Sequence, residues 1–436
     1  MDESPELTRR AALRGLLALA ASACSPAERE RAREPDAADD GGRPPTPVES
    51  PVASPTAATD AAAIAVAMDA FAVDLHRRLA QPDANLVVSP SSIALAFGML
   101  HAGARGRTAQ ELASAFHWQG QPAALHVGFA ELLSRWAAPS EGVDFSVANR
   151  LFGDQGVAFD RAYLELGTDV FGAPLESLDF RGDPEAARAH INAWVEAQTH
   201  ERIRDLLPAG TIDARSRLVL VDAVYFKARW ATPFLPHLTR DADFTTPHGV
   251  ERVAMMHRSG TMPVARHDGA TIVELDYGVG DYAMTFVVPD RADALAALER
   301  RFDRAWLAEG LAAMSDAQVT LGVPKFRIEA DRPLALRSVL GAMGVSQVFT
   351  SEADLTGIAP RSEQLMVSEA FHKAFLELDE AGTEAAAATA IATRTGAAAP
   401  PEGGTRVVLD RPFLFALRDR DSGAMLFLGH VVDPTR

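Results

Sequence analysis

The chain is 436 residues long, with 47% hydrophobic and 23% charged side chains, a composition that excludes wholesale disorder and can furnish a large core. Fifty-nine acidic against 42 basic side chains give a net charge of −17, the wrong sign for a protein that grips nucleic-acid phosphates without regard to sequence. The single cysteine, Cys24, excludes an intramolecular disulfide, a cysteine zinc site and Cys-x-x-Cys redox chemistry. The histidines show no metal-binding spacing, with no His-Glu-x-x-His and with His200 and His237 isolated, so neither a metal nor a cofactor is expected.

Thr8-Arg9-Arg10-Ala11-Ala12-Leu13-Arg14 leads into the apolar run Leu16-Leu17-Ala18-Leu19-Ala20-Ala21 and then Ser22-Ala23-Cys24. Paired arginines before a modest apolar segment look like a twin-arginine export signal. The small residues before Cys24 resemble a lipoprotein processing site, where the thiol takes a lipid. Residues 1–23 are therefore expected to be an export signal and Cys24 a lipidation site. The product would be a cell-envelope lipoprotein or an extracellular protein. Ala21, where leucine is usual, and Arg14 inside the run depart from that pattern. The competing reading is a cytosolic N-terminus with a buried cysteine. The run is too short to span a bilayer, which takes about 20 residues. Residues 24–59 are rich in Ala, Pro, Asp, Glu and Arg, and read as a disordered linker.

From about residue 60 the chain reads as one large domain without repeats or an internal linker. Met68, Phe71, Ala72 and Leu75 fall on one helical stripe. A second helix is expected from about Ser91, after Pro90, with Ile93, Ala96, Phe97 and Leu100 on one face. Strands are expected at 216–226, 271–275, 282–288, 318–328, 413–417 and 425–432. Helices followed by long strands indicate an α+β fold rather than regular βαβ alternation.

The motif order resembles the serpin family. Asn85-Leu86-Val87-Val88-Ser89-Pro90-Ser91-Ser92-Ile93 runs into Gly103-Ala104-Arg105-Gly106-Arg107-Thr108. Ala148-Asn149-Arg150-Leu151-Phe152, Ile191-Asn192-Ala193-Trp194-Val195 and Tyr225-Phe226-Lys227 with Trp230 follow. Pro324-Lys325-Phe326, Asp354-Leu355-Thr356-Gly357-Ile358, Arg411-Pro412-Phe413-Leu414-Phe415 and Phe427-Leu428-Gly429-His430-Val431-Val432-Asp433-Pro434 complete the series. The resemblance implies about nine helices around three sheets, with a long central sheet and an exposed reactive loop at about 380–405. It implies a protease inhibitor rather than an enzyme. The target would be a serine or cysteine protease, held in a one-to-one covalent complex, and the inhibitor a monomer.

In that family a protease attacks the loop and forms an acyl-enzyme; the cut loop then enters the central sheet as a new strand and traps it. Here Glu380, Gly382, Thr383, Glu384, Ala385, Ala386, Ala387, Ala388 and Thr389 match the hinge. The residues suit insertion on their own terms. Thr383, Ala385, Ala387, Thr389, Ile391, Thr393 and Thr395 share one parity, carry no charge, and five of the seven are β-branched. Both charges, Glu384 and Arg394, sit on the other parity. No proline lies between Thr383 and Ala399 to interrupt a ladder. The competing readings are a helical alanine run and a plain linker. Counting from Glu380 places the scissile bond at Gly396–Ala397, with Arg394–Thr395 as the runner-up. Counting back from Arg411 points nearer Pro401, a poor substrate position.

The resemblance also implies a latch of Ser89, Ser92, Asp222 and His372 under the central sheet. The family usually has asparagine where this chain has Asp222. A buried charge pair with His372, and with it pH-sensitive insertion, is therefore expected. Glu380 and Lys325 match a hinge salt bridge. No Gly-x-Ser-x-Gly or phosphate-binding glycine loop occurs, which argues against a hydrolase or a nucleotide binder. The remaining alternative is a serpin that does not inhibit and acts as a binding or carrier protein.

Overall fold

Ser89 accepts a hydrogen bond from the Ser92 backbone N–H and so caps the helix Pro90–Gly103, which has proline in its first turn. This comes from a computed structural model that describes residues 60–330, 332–383 and 404–436. The helix was expected to bury one face. Instead every residue but Ala102 is buried, because it runs through the middle of the molecule between the central sheet and the strand Met425–Val431. The preceding helix, Asp60–Leu79, has an acidic first residue and closes on His76, Arg77 and Arg78, in line with the helix dipole. Met68, Phe71, Ala72 and Leu75 are buried on it, as their spacing predicts.

Among the described residues there are nine α-helices and sixteen strands in two hydrogen-bonded networks. The nine-stranded network includes Met425–Val431, Phe413–Asp419, Tyr282–Pro289, Ala270–Tyr277, Gly249–His267, Ser315–Pro324 and Thr405–Val408. Gly249–His267 is 19 residues long. It pairs with Arg240–Thr246 and Ser315–Pro324 along most of its length and with Ala270–Tyr277 at its end. One strand shared in this way joins what the family pattern counts as two sheets.

The central sheet is the second network, in the order Phe326–Glu329, Val367–Leu378, Gly382–Thr383, Leu218–Arg229, Val143–Asp154, Glu176–Leu178. A single strand over 318–328 was expected. The chain instead changes sheets at Lys325, just after Pro324, which has no amide to donate to a ladder. Residues 218–226 of the strand Leu218–Arg229 are apolar but for Asp222 because the strand is buried on both faces there. Leu218, Leu220, Val224, Phe226 and Ala228 join the main core around Pro90–Gly103. Val219, Val221 and Ala223 pack on the opposite side with Ile191 and Val195 of the helix Pro184–Gln198. The described residues from Asp60 onward form one compact unit.

Candidate functional site: a wedge and a latch in the central sheet

Val367–Leu378 and Leu218–Arg229 run parallel and pair from Val367↔Leu218 to Ala374↔Val224. Beyond Ala374 the direct ladder ends. After Leu378 the chain turns back and places Gly382–Thr383 in the opening, antiparallel to both neighbours. Gly382 pairs with Arg229, Thr383 with Ala228, and Thr383 also with Leu378.

The turn is held by Asp379, whose Oδ1 accepts from the Ala381 and Gly382 N–H groups at 2.8 and 3.1 Å. Trp230 and Phe234 donate their backbone N–H groups to the carbonyls of Ala381 and Glu380, both at 2.9 Å. Position 382 requires glycine. Its φ is +155°, and a Cβ there would lie 1.9 Å from the Ala228 carbonyl oxygen. Thr383 is fully buried, and its hydroxyl meets the Tyr277 hydroxyl at 2.5 Å. Tyr277 in turn stacks on Trp230, with ring centroids 4.3 Å apart.

Glu380 anchors the outer side of the turn. Its carboxylate accepts from Lys325 Nζ at 2.8 Å and from the Thr239 hydroxyl at 2.7 Å. Burial alone would raise the Glu380 pKa, but these partners outweigh it and hold the carboxyl below its ordinary range. Lys325 is 41% exposed, so the pair contributes about 0–1 kcal/mol and sets register rather than stability.

The latch lies further down the same pair of strands. Asp222 and His372 are register partners, fully buried, with His372 Nδ1 2.7 Å from Asp222 Oδ1. Ser92 Oγ donates to the same oxygen. The Ser89 backbone N–H donates to His372 Nε2 at 3.1 Å. An N–H can only donate, so Nε2 carries the lone pair and Nδ1 carries the proton. His372 is therefore the neutral tautomer, and its contact with Asp222 is a hydrogen bond to a carboxyl rather than the expected pair of opposite charges. Asp222 Oδ2 is buried with no partner among the described residues.

All four expected latch residues thus meet, as do Lys325 and Glu380, and Gly382 and Thr383 stand at the sheet opening. Glu384, Ala385, Ala386, Ala387, Ala388 and Thr389 of the hinge lie outside the described residues. So do both candidate bonds, Gly396–Ala397 and Arg394–Thr395, together with Cys24, the export signal 1–23 and the linker 24–59. Sequence reasoning missed Asn149, whose amide donates to the Ser92 carbonyl at 2.8 Å and whose backbone is paired with Asp222. Its signal was a lone amide among the apolar residues of the Val143–Asp154 strand. Tyr277 and Thr239 carried no signal, because only the tertiary fold brings them to the hinge.

The family described as Serpin (serine protease inhibitor) matches residues 66–434. The chain is 36% identical over 370 residues to Iris of Ixodes ricinus, covering 83% of this chain and 96% of that protein. It is 34% identical over 385 residues to the leukocyte elastase inhibitor of Bos taurus, covering 85% and 99%. The structure of human thyroxine-binding globulin superimposes with a TM-score of 0.77 at 28% identity, covering 86% of this chain and 100% of that one. Of these, one is named for inhibiting an elastase and one for binding thyroxine. This chain belongs to the serpin family and is not itself an enzyme.

Proposed function

We propose that the chain is a suicide-substrate inhibitor of serine-type endopeptidases, whose cleaved loop inserts between the strands 218–229 and 367–378 and traps the acyl-enzyme. The protease supplies the nucleophile and the acyl chemistry. This chain supplies the bait and a sheet that accepts the cut end. The observation that carries the reading is the Gly382–Thr383 wedge: the tight turn after Leu378 sends the chain back antiparallel to both of the parallel strands, already between them and in register with each.

Extending that register forward gives the inserted state. Each further loop residue takes the preceding residue of the 218–229 strand as partner, so Leu218 is reached at Thr393. Gly396 and Ala397 then fall just past the far end of the sheet, where an attached protease has room. Thr389 falls opposite Asp222 on one side and His372 on the other. Insertion in this register parts the latch and puts a β-branched hydroxyl side chain in its place. Thr383 already faces the buried side, and its parity mates are the uncharged set.

Small residues around Gly396–Ala397 suit a protease with a shallow specificity pocket, such as an elastase-like or subtilisin-like enzyme. Cleavage at Arg394–Thr395 would direct the loop to a trypsin-like enzyme with an acidic pocket. Incubation with elastase, subtilisin and trypsin tests the reading. A covalent complex that survives denaturing electrophoresis, with release of a C-terminal peptide beginning at Ala397 or Thr395, supports it. Clean cleavage without a complex favours the binding or carrier reading instead. On the N-terminal segment, a lipid-modified Cys24 at the mature terminus, read by mass spectrometry, would establish the exported lipoprotein form.

A further inference from the structure

On the side of the molecule that carries the helices Leu295–Arg301 and Arg304–Ala312, three side chains far apart in the sequence converge. His76 sits in the last turn of Asp60–Leu79, Glu299 on Leu295–Arg301 and His430 on the buried strand Met425–Val431. His76 and His430 are 2% and 0% exposed. His76 Nε2 lies 3.1 Å and His430 Nδ1 2.6 Å from the same oxygen, Glu299 Oε1. One ligand atom from each residue lies within 4.8 Å of the others. Arg77 ties the two helices together, donating to the carbonyls of Arg300 and Phe302 at 3.1 and 2.9 Å.

The hydrogen-bond roles at His430 are unusual. Its Nε2 lies 2.8 Å from the Ala84 carbonyl oxygen, which can only accept, so Nε2 carries a proton. Its Nδ1 faces a carboxylate oxygen, which accepts as well. A neutral ring would point a lone pair at that oxygen, so a positive centre belongs between them: a second ring proton or a metal cation. An N–H given to a backbone carbonyl is also the outer bond by which metal-ligating histidines are oriented. His76 Nδ1 is buried without a hydrogen-bond partner among the described residues, so no neighbour there dictates which nitrogen holds its proton. Its Nε2 can offer a lone pair toward Glu299. An open cleft of about 380 Å³, lined in part by Pro82, Thr246, Ala296, Pro412 and Glu299, reaches the cluster at Glu299, its outermost member.

We infer that His76, Glu299 and His430 form a binding site for a divalent transition-metal ion of the zinc type, with two imidazoles and one carboxylate as ligands and a water from the cleft completing the shell. Imidazole and carboxylate donors suit zinc, which accepts three protein ligands and a water. At zinc–ligand distances of about 2.0–2.1 Å, tetrahedral ligand atoms stand about 3.3 Å apart, so the His430–Glu299 spacing must open by about 0.7 Å. Glu299, whose side chain retains 14% exposure at the cleft, is free to make that adjustment. The ion would join the first helix, a surface helix and the last strand at one point. This site stands apart from the hinge and does not depend on the inhibitory reading.

Zinc and cobalt binding to the full chain test the inference. One equivalent of zinc should be bound at micromolar concentration, and zinc should raise the melting temperature. Bound Co2+ should show the visible absorption of a low-coordinate site. Glu299→Gln and His430→Gln should each weaken zinc binding at least tenfold while the metal-free proteins still melt cooperatively. Should His430→Gln fail to fold, Glu299→Gln decides, because its side chain lies at the rim of a surface helix. No binding up to submillimolar zinc, or binding undiminished in Glu299→Gln, overturns the assignment.

Discussion

Thr389→Asp is the sharpest perturbation of the proposed insertion. In the proposed inserted state, with the register of Gly382 and Thr383 continued, residue 389 would lie between Asp222 and His372, on the face of the sheet buried in the main core. A carboxylate there would be buried beside Asp222, whose Oδ2 has no hydrogen-bond partner among the described residues. An uncompensated buried charge costs about 3–5 kcal/mol. If half of that is felt at the slow point of insertion, the rate falls by about one to two decades, at about 1.4 kcal/mol per decade. Hydrolysis of the acyl-enzyme is the protease's own step and is unaffected, so the outcome shifts from trapped complex to cleaved inhibitor. The assay is the stoichiometry of inhibition together with the fraction of denaturant-stable complex. Ala388→Asp is the register control: it falls opposite Ala223 and Lys373, on the other face, beside a cation. A large rise in stoichiometry is expected for Thr389→Asp and a small one for Ala388→Asp. Equal effects, or the reverse order, would refute the register.

Two further substitutions probe other parts of the structure. Gly382→Ala puts a methyl group into the Ala228 carbonyl, so the wedge must leave the sheet; complex formation should slow by at least tenfold and stability should change by about 1–3 kcal/mol, the range for a strained backbone position. Unchanged complex formation would show that the wedge plays no part. Asp69 is a pH probe remote from the hinge. Burial pushes its carboxyl up to about 7, against the opposing Met425 N–H and the nearby Arg304 and Arg418. The folded state then holds a proton that the unfolded state has released, so stability falls as pH rises from about 4 to about 7 and is level above that. The loss is on the order of 4 kcal/mol, at about 1.4 kcal/mol for each tenfold gain in proton affinity on folding. Asp69→Asn should flatten that slope in denaturant titrations across this range, and an unaltered slope would contradict the assignment.

Gly382 was legible because its constraint is local. A glycine before a run of small alternating residues is what a strand entering a narrow gap requires, and the gap proved narrow at Gly382. Pro90 announced a helix start for the same reason: its fixed φ suits the first turn of a helix whatever the distant surroundings. The departures have separate causes. The full burial of Pro90–Gly103 matches its unbroken run from Ile93 to Leu100, which has no polar side chain and so no solvent face, where a single buried stripe was expected. The change of sheet at Lys325 was hidden because both segments have strand chemistry. The protonation of His372 was fixed by the Ser89 backbone, which no side-chain pattern reveals. Metal-ligand spacing compares neighbours along the chain, and by that measure no site was expected. His76, Glu299 and His430 meet only once the first helix, a late helix and the last strand have packed.

Severing the loop should let the sheet accept a strand it does not contain in full, and thermal unfolding measures this most directly. On the proposed mechanism the intact chain is held from its lowest free energy by a barrier. The chain nicked at Gly396–Ala397 should melt at least about 10 °C above the intact chain, the shift that about 8 kcal/mol produces in a domain of this size, at about 2.1 cal/mol/K of unfolding entropy per residue. A nicked chain that melts at the same temperature or lower would contradict insertion.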